Sequence, residues 1–278
     1  VQQDKKKTRI ISFDLEVSPA LGYFYPPTWE TRVLETVHRQ KLMSFAWNVV
    51  GETVKKKVDG EWVRVPKIHA LNLSARKGYK KGDQDDKWLV TELHKVLSSA
   101  DILLGQNSDQ FDVKTANYFF ILNDLEPIPP VKYIDTKKIA KRYFRFMNNT
   151  LDNLGKELGF GGKTQITYAD LWIPAFLNGD KKSWKLMDIY CKNDVDKTTK
   201  IYLKMRPFMH QHPSLSRISG DFDSCPRCGS FNHRIKAYRT TNTSRYHQYQ
   251  CLECLGFFSD RKAITEEDGD IKPNFVNV

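Results

Sequence analysis

The chain's first regular segment is Arg9-Ile10-Ile11-Ser12-Phe13-Asp14-Leu15-Glu16-Val17, rich in β-branched and aromatic residues and closed by Ser18-Pro19. It reads as a strand, apolar enough to lie in the middle of a sheet. Leu21 to Arg39, with Tyr25-Pro26-Pro27 inside it, reads as irregular. Leu42 to Val50 reads as a second strand and Gly51-Glu52 as a turn. Thr53 to Val65 follows as a hairpin with Asp59-Gly60 at its tip. The period then lengthens. Asp85 to Ser99 carries Trp88, Leu89, Leu93, Val96 and Leu97 on one side, as an amphipathic helix does. Ile102–Gly105 reads as a short buried strand, Asp112–Asn123 as a helix and Val131–Ile134 as a strand. Asp135-Thr136 is suited to cap a helix running to about Arg145. Another helix is expected over Leu151–Leu158, capped by Asn149 or Thr150 and stopped by Gly159, and helices dominate from there to Met209. Antiparallel strands followed by alternating helix and strand predict an α/β fold, a mixed sheet with helices on its faces.

The 278 residues suffice for one sizeable core and a small second unit. Hydrophobic residues at 40% and charged residues at 28% describe a globular chain rather than a disordered one. No apolar run approaches the roughly 20 residues of a membrane span, so no membrane partner is expected. The lysines of the first seven residues have no apolar stretch behind them, which reads as a basic tail and not a signal peptide. The net charge of +11 is compatible with a phosphate-backbone partner. Four of the five cysteines, Cys225, Cys228, Cys251 and Cys254, form two C-x-x-C pairs. Without a secretory signal this points to a metal rather than disulfides, and to a reducing, cytoplasmic setting.

The first strand poses a problem of charge. Asp14 and Glu16 are two apart and project from the same face. On a buried strand they repel each other and lose hydration, and a cation between them relieves both costs. On an edge strand both would simply face water. Two further constellations bear on the choice. In Gly105-Gln106-Asn107-Ser108-Asp109-Gln110-Phe111-Asp112, a strand runs through a loop into a helix that starts at Asp112. That acid alone would be explained by the helix N-terminus. In Tyr190-Cys191-Lys192-Asn193-Asp194, the phenol and the carboxylate are four apart and share a helix face.

D-x-E on an early strand, N-x-x-x-F-D at a strand-to-helix loop and Y-x-x-x-D on a late helix, in that order, resemble the DEDD superfamily of 3′→5′ exonucleases. The tyrosine places the resemblance in the branch that includes the proofreading domains of family B DNA polymerases. The histidine branch is set aside because Ile189 stands where its histidine would be. Leu151–Gly159, Leu171-Trp172 and Tyr190-Cys191 are also similar to small phage and bacterial proteins that join such a domain to a zinc ribbon. The resemblance spans about residues 9–262 and implies a ribonuclease-H-like fold with the first strand central. It further implies two Mg²⁺ or Mn²⁺ ions. Asp14 would bridge both, Glu16 and Asp194 would complete the first, and Asp112 would hold the second through water. Tyr190 would orient the attacking water. Oxygen ligands suit such hard cations, and a pair of them stabilises both attacking and leaving oxygens of a phosphoryl displacement. Asn107 is expected to position substrate, and Phe13 and Phe111 to stack or wedge terminal bases. Gln106 departs from the histidine many members carry before the asparagine. Asp135 reads as a cap, Asp188 and Asp196 as flanking acids, and Cys191 as a buried core thiol.

Cys225, Cys228, Cys251 and Cys254 supply the ligand set of one structural Zn²⁺, which a unit this small needs in order to fold. Between the knuckles, Arg234, Lys236, Tyr238, Arg239, Arg245, Tyr246, His247 and Tyr249 interleave basic and aromatic residues, as in a surface that binds phosphates and stacks bases or in an ordinary solvated strand. The expected organisation is a basic tail at 1–8, a nuclease domain at 9–210, a linker at 211–222, a zinc ribbon at 223–262 and a flexible tail at 263–278. The function implied is a metal-dependent 3′→5′ exonuclease acting on single-stranded 3′ ends, DNA rather than RNA. The ribbon would add affinity or recruit a replication or recombination protein. Two rivals stand beside it: a silent nuclease fold that binds nucleic acid through its ribbon, and a nuclease that cuts RNA or structured DNA internally.

Overall fold

The computed structural model describes residues 7–25, 32–162 and 168–265, with the side chains of 168–170 left aside. Arg9–Tyr202 form one compact unit, and the chain from Leu203 onward belongs to a second.

In the first unit, β1 (Ile10–Val17) is followed by a small separate pair, β2 (Leu21–Phe24) and β3 (Val33–His38). Then come two long strands, β4 (Leu42–Val58) and β5 (Glu61–Asn72), and α1 (Lys87–Ser98). The alternation continues with β6 (Ile102–Gly105), α2 (Asp112–Leu122), β7 (Lys132–Asp135) and α3 (Thr136–Tyr143). Helices α4 (Leu151–Glu157), α5 (Tyr168–Phe176) and α6 (Lys181–Met205) complete it. The five-stranded sheet has the order β5-β4-β1-β6-β7. β4 runs antiparallel to its neighbours β1 and β5, while β6 and β7 run parallel to β1. The fold is thus the expected mixed α/β sheet with helices around it, and β1 lies at its centre.

Alternation along β1 explains that place. Ile11, Phe13 and Leu15 enter a core with Phe45 of β4, Leu89, Leu93 and Leu97 of α1, and Phe119 and Phe120 of α2. The other face presents Ser12, Asp14 and Glu16. There Ala46 of β4 packs with Cys191 and Val195 of α6. Covering both faces requires helices on both, which the βα alternation supplies.

Two expectations about the early strands are corrected. Leu21–Arg39 is not wholly irregular, because β2 and β3 pair with each other. Its prolines, Pro26 and Pro27, lie outside the described residues. Gly51-Glu52 is no turn: β4 runs through it, with a register irregularity between Asn48 and Thr53 and Gly51 at φ 93°. The left-handed glycine absorbs a bulge where the sequence suggested a reversal. The reversal comes at Asp59-Gly60, φ 49° and 92°, where Val58 pairs with Glu61. Caps also divide their roles. Thr150 accepts from the Asn153 amide, and Gly159 follows α4 at φ 83°. Asp86 precedes α1 without capping it; its carboxylate accepts from the Leu42 amide at 2.8 Å and so ties α1 to β4.

In the second unit, α7 (Leu215–Ser219) lies in the stretch read as linker. It precedes a three-stranded antiparallel sheet of β8 (His233–Thr240), β9 (Arg245–Cys251) and β10 (Phe257–Ser259), in the order β10-β9-β8. Cys225, Cys251 and Cys254 are its buried cluster, with Cys228 and Phe258 packed against them. No helix among the described residues is long and apolar enough to cross a membrane.

Candidate metal centre

Asp14 and Glu16 are half-buried on β1, and Cys191 of α6 lies over them. One ligand atom from each of these three falls within 4.8 Å of the others. The Cys191 thiol donates between the Asp14 backbone carbonyl and Asp14 Oδ2, each 3.4 Å away. Burial pushes this thiol well above its ordinary pKa, and the charges of Asp14, Glu16 and Asp194 push it further. It is therefore a neutral donor that holds one carboxylate oxygen in place. Asp194, one turn from Cys191, is buried and contributes to the same negative field.

Tyr190 is buried, and its ring meets that of Trp172 edge to face with centroids 5.5 Å apart. The Trp172 indole N–H in turn donates to Glu16 Oε2 at 3.2 Å. One side chain from α5 thus touches both the strand acid and the helix phenol. Asp112 heads α2 and is buried; its Oδ1 accepts from the Leu15 amide at 3.2 Å. β1 pairs with β6 at Ile10 to Ser12. Farther along β1, the Asp112 carboxylate takes up the backbone donor of Leu15.

The loop between β6 and α2 is tightly built. A Cβ on Gly105 would come within 2.4 Å of the Ser108 Cβ, so only glycine lets the loop close. Asn107 is left-handed at φ 61°, a conformation its side-chain type tolerates. Its amide donates to Asp135 Oδ1 at 3.0 Å, and its carbonyl accepts from the amides of Gln110 and Phe111. Asp135 also caps α3 through the amides of Lys137 and Lys138, so it joins the loop to that helix. Gln106 donates to the Asn149 carbonyl at 2.9 Å and accepts from the Thr136 hydroxyl, a structural clip.

The expected site residues fall into distinct places. Asp14 and Glu16 belong to the close group with Cys191, and Asp194 and Tyr190 bear on it through Cys191 and Trp172. Asp112 reaches β1 by its own hydrogen bond. Phe111 is 45% exposed beside Asp112, but Phe13 is 2% exposed and its ring fills the core on the opposite face. Its position, odd-numbered with Ile11 and Leu15, makes it a core residue and not a stacking surface. Asp109 pairs with Lys138, and Asp196 with Lys200. Asp188 accepts from Ser44 Oγ at 3.3 Å and Asn72 Nδ2 at 2.9 Å, pinning α6 to β4 and β5. Two neighbours of the site were not expected to belong to it: Cys191, read as a buried core thiol and indeed buried, and Trp172. Cys191 precedes Asp194 by three residues and so shares its face, a signal that was there to read. Trp172 is 156 residues from Glu16, and no local pattern announces that contact.

The donor set fits a cation. Two carboxylates converge beside the Cys191 thiol that holds one of their oxygens, and such oxygens suit a hard divalent ion. In the second unit the fit to zinc is metrical. Cys225 Sγ and Cys254 Sγ are 3.7 Å apart, and Cys228 Sγ and Cys251 Sγ 3.5 Å. A tetrahedron with Zn–S bonds of about 2.3 Å has sulfur–sulfur edges of about 3.8 Å. Hydrogen bonds from Cys225 and then Cys228 hold Cys254 far below the thiol range, while those with Cys225 and Cys254 push Cys228 above it. Such crowding favours a cation that converts all four to thiolates.

No family model and no curated protein matches the chain. Among solved structures, the family B DNA polymerase from the hyperthermophilic archaeon Pyrobaculum calidifontis is similar to it with a TM-score of 0.48 and 13% sequence identity. The match covers 85% of this chain and 32% of the polymerase chain, so the chain spans about a third of that protein's length.

Proposed function

We propose that the protein is a metal-dependent 3′→5′ exonuclease that hydrolyses phosphodiester bonds at single-stranded 3′ ends, DNA in preference to RNA. The observation that carries this reading is the gathering of Asp14, Glu16 and Cys191, with Asp194 beside them, from segments far apart in sequence. Two acids on a central strand, with a third on a covering helix, repel one another, and a divalent cation relieves that cost. Mg²⁺ or Mn²⁺, when bound, would supply charge to the attacking and leaving oxygens of a phosphodiester. Asp14, Glu16 and Asp194 would hold that charge, and Asp112 would serve a second ion through water. Tyr190, steadied by Trp172, would orient the water that attacks phosphorus. It would not itself take that water's proton, since a phenol ordinarily ionises only at about pH 10. Asn107 and exposed Phe111 lie on the same loop–helix entrance as Asp112 and would meet the terminal nucleotides.

The ribbon is proposed to bind one Zn²⁺ and to add nucleic-acid affinity or recruit a protein. On its sheet Arg245 lies over the Tyr238 ring at 3.9 Å and Arg239 over the Tyr246 ring at 4.5 Å. These guanidinium–aromatic pairs form flat cationic platforms of a kind that stacks bases.

The test uses a 5′-labelled oligonucleotide with Mg²⁺ or Mn²⁺, as DNA and as RNA. A ladder shortening from the 3′ end is expected, faster on DNA and absent in Asp14→Ala and Asp194→Ala. A single internal cut, or full activity in those variants, refutes the reading.

A further inference from the structure

The β4–β5 hairpin does not end with the sheet. Beyond the irregularity at Asn48/Thr53, both strands continue to the turn at Asp59-Gly60. From Gly51 to Arg64 every residue is exposed. This arm has two unlike faces, because residues paired across the strands share a face. Lys55 pairs with Arg64 and Lys57 with Trp62. On the other face Val54 pairs with Val65, Lys56 with Val63 and Val58 with Glu61.

The first of these faces is electrostatically unfavourable in isolation. Lys55 and Arg64 are like charges placed directly opposite, an arrangement that destabilises a strand pair. Lys57 adds a third cation on the same side, and that face carries no acid. Among the described residues none of the three is in an ion pair. Trp62, 70% exposed, stands among them. A two-stranded ribbon is marginal on its own. One that concentrates repulsion and an exposed indole on one side is explained by a polyanion that neutralises the first and covers the second.

We propose that this face of the arm is a second nucleic-acid contact, in which Lys55, Lys57 and Arg64 take backbone phosphates and Trp62 stacks a base. This rests on the nuclease reading for its partner and gives the substrate a length requirement. Asp14 pairs with Ala46. Lys55 lies nine positions farther along β4, but β5 covers the same stretch in six, from Ala70 to Arg64, so with the bulge taken up the reach is on the order of 20 Å at about 3.3 Å per residue. β4 runs antiparallel to β1, so the arm leaves the sheet at the end where β1 begins. A strand that touches both the acids and the arm needs about six nucleotides at a rise of about 3.4 Å, and fewer if stretched. The arm is therefore a remote anchor: it lengthens the stay of long substrates and is out of reach of short ones.

The experiment measures binding without turnover. Full-length Asp14→Ala protein, with no divalent ion added, is titrated by anisotropy against a labelled single-stranded 20-mer across a salt series. Adding Lys55→Gln, Lys57→Gln and Arg64→Gln together is expected to weaken Kd by about tenfold to a hundredfold at 0.1 M salt. The slope of log K against log salt should fall by about 2, at roughly 0.7 per phosphate contact. Trp62→Ala alone should cost about tenfold. Val54→Thr with Val63→Thr, on the opposite face, should leave Kd unchanged. In the Asp14-bearing protein, the arm variants should slow digestion of the 20-mer at low concentration and leave that of a tetranucleotide as it was. An unchanged Kd and salt slope overturns the proposal, and so does an equal loss from both faces or on the tetranucleotide. If the arm variants lose binding while the parent cuts nothing, the arm stands and the nuclease reading falls. If the parent digests ends and the arm variants bind as it does, the reverse holds.

Discussion

Trp172→Phe separates the hydrogen bond at the centre of the site from the packing around it. Phenylalanine keeps a ring against Tyr190 and removes the N–H that donates to Glu16 Oε2. Alanine would confuse the two by opening a cavity worth about 3–5 kcal/mol. A hydrogen bond to a carboxylate is worth about 1.5–3 kcal/mol. Glu16 is only half-buried, so water recovers part of the loss and the low end, about 1.5 kcal/mol, applies. If the indole fixes Glu16 for a metal, Mn²⁺ affinity should fall about tenfold, the change that about 1.4 kcal/mol produces. Calorimetric titration with Mn²⁺ measures this directly. The hydrolysis rate should recover as Mn²⁺ is raised, and melting temperature should fall by only a few degrees. Unaltered Mn²⁺ affinity would refute the claim that Trp172 orients Glu16. A rate loss that no Mn²⁺ concentration repairs would show that Tyr190, not Glu16, depends on the indole.

The remaining expectations concern both units. Glu16→Gln should lose most activity in Mg²⁺ and regain part of it in excess Mn²⁺, whereas Asp14→Asn should regain none; initial rates in each metal distinguish them. Titrating the cysteines with a mercurial should release one equivalent of Zn²⁺ and open the region from Cys225 to Ser259 to proteolysis, since its buried cluster is little more than the thiols; a mercurial-treated ribbon that still resists protease speaks against a zinc-dependent fold. His212 is lowered to about 4 by burial, with Arg206 and Arg227 adding to the effect against the pull of the Pro213 carbonyl. An unfolded histidine protonates near pH 6.5, so the contribution is full above that pH and is lost as pH falls toward 4, by at most about 3 kcal/mol. His212→Gln should flatten the stability profile of the second unit between pH 6.5 and 4, and an unchanged slope would mean that the histidine is not the group titrating.

The central strand was legible because both signals there are local: Ile11, Phe13 and Leu15 alternate with Ser12, Asp14 and Glu16. The same alternation points Phe13 into the core, against the stacking role that the family resemblance implied. β2 and β3 escaped notice for the opposite reason. β3 is exposed along its whole length, so burial imposes no period on it. Gly51 looked like a turn because a left-handed glycine serves a bulge and a reversal equally well. Asp86 and Asp188, acids that bind amides and side chains of neighbouring strands, were invisible because their partners lie 44 and 116 or more residues away. Trp172 belongs with them. Long-range polar contacts are set by how helices dock, and no spacing rule along one segment encodes that.

The hydrogen bond from Leu15 to Asp112 ties inheritance of the fold to inheritance of the chemistry. A lineage that no longer needed the reaction could exchange Glu16 at the cost of one indole hydrogen bond, about 1.5 kcal/mol. It could not discard the acid at 112 without leaving a backbone donor of its innermost strand unsatisfied. Degenerate descendants of such a protein should therefore keep an oxygen acceptor at that position, aspartate or asparagine, long after the other acids have drifted. By the same logic an alanine there is an ambiguous knock-out, and asparagine, which keeps the acceptor while removing the charge, is the informative one.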